Sequence, residues 1–211
     1  MKINAEAISR AALDLLDETG LEGLTMRMVA GRLGVQPGAL YWHVKNKQEL
    51  LDAMASAIFA DAAEGLEGPR LGVGWQEWLA SWARQLRRAM LRHQDGAKIF
   101  AGSNLKEPAV FRATELALRT LQDAGFPVQN AARSVAALLH YTVGFTIEEQ
   151  EHTAGLAAPD GDPHGEGVDS TRFPLTAQAY ARDDLFDPDT DDCFEYGLVI
   201  ILSGMQATNQ L

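Results

Sequence analysis

Hydrophobic positions recur at helical spacing through almost the whole chain. Ile8, Ala11, Ala12, Leu15 and Leu16 form an apolar stripe that Asn4 can cap and Gly20 can end. Thr25 is a good N-cap for a second helix running to about residue 33, with Met28, Val29 and Leu33 turned to a core. Gly34 supplies a turn, because glycine enters positive φ without steric cost. Pro37 suits the first turn of a short helix expected over 37–44, which would carry Tyr41, Trp42 and His43. A fourth helix is expected over 48–63, with Leu51, Met54, Ala55 and Ile58 on one side. Gly65, Gly68, Pro69, Gly72 and Gly74 then mark a break. Helices follow over 75–93, 107–124 and 130–149, with a short segment at 96–100. A short helix over 174–182 and a last one from 189 or 190 to about 207 complete the set. In that last helix Phe194, Leu198, Ile201, Leu202 and Met205 share a face, and the run 198–202 leaves little room for a polar one. Such a helix needs burial on most sides. The fold class is all-α.

Residues 153–170 break the pattern. They are rich in Gly, Pro and Asp and are expected to form a mobile loop. His152, His164, Asp160 and Asp162 there match no metal-ligand spacing, so no metal site is read from them. No leader peptide is expected, and no apolar run reaches membrane-spanning length. One cysteine, Cys193, gives no intrachain disulfide framework. A cytoplasmic protein with no membrane partner and no cofactor is expected.

Charge sharpens the picture at the N-terminal end. The chain carries a net −11, yet no Asp or Glu occurs from Gly23 to Gln48, where Arg27, Arg32, Lys45 and Lys47 lie. An acidic protein with one acid-free basic window is arranged to approach nucleic acid through that window. The pattern helix, Gly turn, short helix is that of a helix-turn-helix whose second helix enters the major groove. Lys47 and Tyr41 are candidates for phosphate. Arg27, Gln36, Gly38 and His43 are candidates for base edges or their surroundings, with Pro37, Ala39, Trp42 and Lys45 completing the reading surface. One short reading helix gives little affinity alone. Paired heads on two half-sites about 34–36 Å apart, hence a homodimer on a palindromic duplex, supply the rest.

The first third of the chain resembles the tetracycline-repressor (TetR) family of bacterial transcription regulators. The matching residues are 11–16 with Glu18 and Gly20, Gly23-Leu24-Thr25, Arg27, Ala30, Leu33-Gly34-Val35, the run from Leu40 to Lys47, and Leu50-Leu51. Residues 92–98 and 144–152 are similar to core segments of the family's tetracycline-binding branch. The resemblance implies a DNA-binding head at 1–47, a connecting helix at 48–64, and a ligand-binding and dimerisation body at 65–211. It implies that the helices at 130–149 and 190–207 pack against their copies. It also implies a body pocket lined by Trp82, Leu86, Phe100, Ser103, Asn104, Leu118, His140 and Glu148.

The departures from that branch are chemical. There, a histidine at the position of Phe100 binds the drug-bound magnesium, and phenylalanine cannot. Polar drug contacts that align with Ala63 and Trp82 are gone, and Asn104 stands for an arginine that couples ligand to movement. The expected inducer is therefore an apolar or aromatic small molecule bound without metal. Its binding is expected to act through the helix at 48–63 as the sole link between pocket and head. The operator should differ too, since Gln36-Pro37-Gly38-Ala39 replaces a glutamine-proline-threonine run. The resulting reading is a ligand-released transcriptional repressor. A DNA-binding regulator with no ligand is the alternative. An enzyme is disfavoured, because the chain shows no phosphate loop, nucleophile motif or paired acids in a defined setting.

Overall fold

Asn4 caps the first helix, its side-chain oxygen accepting from the Ala7 N–H at 2.8 Å. The computed structural model describes residues 4–156, 169–180 and 191–209, and every regular element among them is a helix. α1 (Ala5–Gly23) buries Ile8, Ala12, Leu13 and Leu16. Gly20 inside it has φ +67°, so the final turn leaves the helical path. Thr25 caps α2 (Met26–Arg32), accepting from the Met28 N–H at 3.3 Å. The turn at Gly34, φ +68°, leads into α3 (Pro37–Leu40).

α3 is shorter than the 37–44 expected, and Tyr41, Trp42 and His43 occupy the turn after it. The N–H groups of His43 and Val44 both donate to the Leu40 carbonyl, at 2.9 and 3.0 Å, which closes the chain tightly. Asn46 then opens α4 (Lys47–Ala62) at once. Its side chain accepts from the Glu49 N–H at 2.9 Å, while the Glu49 carboxylate accepts from the Lys45 N–H at 2.8 Å. α4 packs along α1, and its Leu50, Met54 and Ile58 are fully buried. Arg10 and Asp61 bridge the two helices at 2.6 Å, and the guanidinium holds that carboxyl below its ordinary range.

The body follows as α5 (Trp75–Leu91), α6 (Gly96–Ala101), α7 (Pro108–Asp123), α8 (Val128–Leu156), α9 (Pro174–Tyr180) and α10 (Asp191–Asn209). α8 overruns the 130–149 expected, because nothing breaks it after Glu149 before Gly155. The loop expected from residue 153 therefore starts as helix, and 157–168 lie outside the described residues. So do residues 181–190, with the expected end of the preceding helix and the first residues of the last one.

Three helices meet at a buried charge. Arg87 of α5 donates to Glu149 of α8 at 2.7 Å and to Asp191 of α10 at 2.7 Å, with its guanidinium 4.8 Å from the Phe194 ring centre. Burial opposes the Arg87 charge, but its bonds to Glu149 and Asp191 outweigh that and raise its pKa. Beside it Tyr141 stacks on Phe194 at 5.4 Å and donates to the Phe194 carbonyl at 2.9 Å. The Tyr141 ring and hydroxyl fill the space a Cβ on Gly197 would need. α10 has two apolar faces rather than one broad one. Phe194, Leu198, Leu202 and Met205 are buried within the protomer, whereas Tyr196, Val199 and Ile200 are exposed.

Candidate functional site

Leu40 and Val44, both buried, anchor the reading segment to the head's core. Their placement turns the residues between and before them outward. Gln36, Pro37, Gly38, Tyr41, Trp42, His43, Lys45 and Lys47 are all exposed, as is Arg27 on α2, while Ala39 is half-buried. Trp42 is 90% exposed. The head's core therefore makes no use of this indole. A Cβ added at Gly38 would meet nothing within 4 Å, so a partner can approach that backbone closely.

The basic window is partly neutralised. Arg32 pairs with Glu18 of α1 at 2.6 Å, and Lys45 lies 3.9 Å from Glu49. Lys47 donates to the Leu21 carbonyl at 3.2 Å and keeps its charge for solvent or phosphate. Arg27 has no acidic partner among the described residues. The cations open to a polyanion are thus chiefly Arg27 and Lys47, at either side of the reading segment.

In the body, a cavity of about 550 Å³ opens between α4, α5, α6, α7 and α8. Trp82, Leu86, Phe100, Ser103 and His140 line it. Asn104, Leu118 and Glu148 do not. Asn104 lies in the exposed chain after α6, where its N–H donates to Asp52. Leu118 packs beside the core, and Glu148 is exposed one turn past the lining Gly144. Phe59 of α4, not picked out from the sequence, is central to the wall. It meets Trp82 edge-on at 5.6 Å and Phe100 face-on at 6.3 Å. The spacing of Ala55, Ile58, Phe59 and Ala62 was the signal for it.

The donor set of this cavity does not fit a metal. The Phe100 ring has no lone pair to give, and no carboxylate stands among the described lining residues. His140 is the one lining side chain there whose ring nitrogen can offer a lone pair, since the Trp82 indole N–H only donates. The Ser103 hydroxyl donates to the Ile99 carbonyl at 2.7 Å and retains acceptor capacity only. Among the described residues no cluster of three or more His, Cys, Asp or Glu could hold an ion.

α4 is not the sole link from cavity to head. Asp17 of α1 accepts from the Gln94 N–H at 2.8 Å and lies 3.0 Å from the His93 ring nitrogen. The Leu21 N–H donates to Asp95 at 3.0 Å, directly before α6, which carries Phe100. The bend at Gly20 makes this contact possible, since a side chain there would press on Gln94 at 3.2 Å. Lys98 of α6 in turn pairs with Asp95 and with Glu151 of α8.

The head and body match known proteins separately and together. Residues 8–54 match the family described as bacterial regulatory proteins, tetR family, and residues 68–209 match the tetracyclin repressor-like C-terminal domain. The tetracycline repressor protein class A from transposon 1721 of Escherichia coli is 40% identical over 205 residues, which is 97% of this chain and 91% of the relative. A possible TetR family transcriptional regulator from Streptomyces coelicolor A3(2) superimposes with a TM-score of 0.85 at 37% identity, over 97% of this chain and 100% of that one. A single-substitution variant of TetR from Acinetobacter baumannii AYE, solved in complex with minocycline, gives 0.76 at 33% identity over 99% of each chain. No helix among the described residues is long and apolar enough to cross a membrane. With both halves matched and a relative covered nearly end to end, the chain belongs to the TetR family of bacterial transcription regulators.

Proposed function

We propose that this chain represses transcription as a homodimer on a palindromic operator and releases it when an apolar or aromatic molecule, bound without metal, fills the body cavity. The observation that carries the metal-free part is the wall itself, an aromatic cluster of Phe59, Trp82 and Phe100 in a cavity whose described lining holds no carboxylate. Such a wall favours stacking over chelation. The Acinetobacter relative holds minocycline. Here the chelating position is a phenyl ring. The relatives are transcription regulators, and no catalytic step is assigned to the cavity.

Residues 1–47 serve as the head, 48–64 as the connecting helix and 65–211 as the body. Arg27, Gln36–Ala39, Tyr41–His43, Lys45 and Lys47 form the DNA surface. The exposed apolar residues of α10, with Leu139 of α8, form the surface that meets the second copy. Ligand in the cavity touches α4 through Phe59 and α6 through Phe100, so it reaches the head by two routes. Release requires the ligand to prefer the non-binding arrangement, and a coupling of about 1–3 kcal/mol would be ordinary.

The test is titration of the DNA-bound protein with tetracycline and magnesium. The complex should stay intact. Release at low micromolar drug, reversed by a chelator, would overturn the metal-free reading. Tight binding to the tetracycline operator would overturn the expectation of a different operator.

A further inference from the structure

Beside the apolar cavity lies a second recess of about 400 Å³, between the 63–74 loop and the outer side of α5. Its walls are polar where the first cavity's are not. They present the carboxylates of Glu64 and Glu67, the Arg70 guanidinium, the Ser81 hydroxyl and the Gln85 amide. Trp82 stands in the walls of both chambers. We propose that the inducer is an aromatic glycoside, with its flat aglycone in the apolar cavity, its sugar in the polar recess, and the Trp82 indole between them. This rests on the reading of the apolar cavity as the inducer site.

The polar groups favour a polyol over an anionic arm. Glu77, at the recess, is already paired with Arg84 at 3.1 Å. Arg70 is the only guanidinium among the described residues of the recess wall and stands against two further carboxylates, Glu64 and Glu67, so the recess keeps a negative charge that rejects an anionic arm. What is left is hydrogen-bonding capacity of both kinds. Carboxylates accept, the guanidinium donates, and the Gln85 amide and Ser81 hydroxyl, which share one bond at 3.5 Å, keep further capacity of both kinds. Adjacent sugar hydroxyls, each donor and acceptor, need that mixture. The apolar C–H faces of a sugar ring also stack on indole.

The two tryptophans of this wall differ in freedom. Trp78 is buried and its ring N–H donates to the Glu67 carbonyl at 2.8 Å, which fixes it. Trp82 is half-buried and meets Phe59 edge-on. A turn of the Trp82 side chain would join the chambers, and one ligand spanning both would hold α5 against the loop.

The experiment compares umbelliferone with its glucoside on the purified full-length protein by calorimetry. The glucoside should bind about tenfold tighter or more. Glu67→Gln with Gln85→Ala should cut that preference below about threefold and leave the aglycone's affinity unchanged. An aglycone that binds as well as its glucoside overturns the proposal while the cavity reading stands. Ala117→Trp, which fills the apolar cavity, separates the two readings further. If it leaves aglycone binding intact, or if neither compound binds the wild type, the cavity reading fails and the glycoside falls with it.

Discussion

Replacing Arg87 with Met should destabilise the fold by about 3–5 kcal/mol, the usual cost of stranding one member of a buried ion pair. Arg87 and Glu149 are each 7% exposed. The guanidinium grips both carboxylate oxygens of Glu149, one of them at 2.7 Å. Methionine keeps much of the stem's packing near Phe194 but gives Glu149 nothing to bond. The third member matters less, since the Asp191 side chain is 87% exposed. Its loss should cost at most about 1 kcal/mol. The double variant Arg87→Met/Glu149→Met removes both charges and should recover most of the loss. Urea unfolding followed by circular dichroism is the assay, at one fixed protein concentration because a dimer's midpoint depends on it. In a chain of this size the single variant should lower Tm by about 6–20 °C. A single variant within about 1 kcal/mol of wild type, or a double variant as costly as the two singles added, would refute the reasoning.

Three further outcomes are expected. Lys47→Ala should weaken binding to every duplex alike and reduce the salt slope by about one, measured by fluorescence anisotropy across a salt series; a sequence-selective loss would count against a phosphate role. Val199→Glu should give monomers in light scattering and lose operator affinity without unfolding, whereas Leu198→Glu should unfold the protomer, because Leu198 is 1% exposed inside it. Tyr141, pushed up to about 12 by burial, keeps its proton where an unfolded tyrosine with its ordinary value of 10.0 has lost it. That stability is complete below pH 10.0 and is lost as pH rises toward 12. Tyr141→Phe should flatten the alkaline loss in pH-dependent unfolding, and an unchanged profile would contradict the burial argument.

The helices and caps were legible because they depend on neighbours in sequence. Asn4 and Thr25 bond N–H groups three residues on, and Gly34 turns where only its own φ matters. What the sequence hid depends on distant partners. Nothing local tells that Arg32 is spent on Glu18, so the basic window looked more open than it is. The bonds of Asp17 and Leu21 to residues 93–95 join positions more than seventy apart, and they add a second link to the one expected through α4. In the cavity, positional resemblance found Trp82 and Phe100 but also took in Asn104, Leu118 and Glu148. Phe59 was missed, although its helical spacing placed it on a buried side, because spacing marks burial and not which cavity a buried ring faces.

The fit of Tyr141 against Gly197 bears on how this sequence can vary. The phenol cannot simply swing away, because it is stacked on Phe194 and bonded to the Phe194 carbonyl. A side chain at residue 197 therefore excludes tyrosine at 141, and a smaller residue at 141 leaves a hole unless 197 grows. The two positions should substitute as a pair through descent, large against absent or small against small. Phenylalanine at 141 gives no relief, because the ring carbons crowd the Cβ site as well as the hydroxyl does. A single Gly197→Ala step would be an evolutionary dead end until its partner changed, and Gly197→Ala with Tyr141→Leu should be the tolerated route.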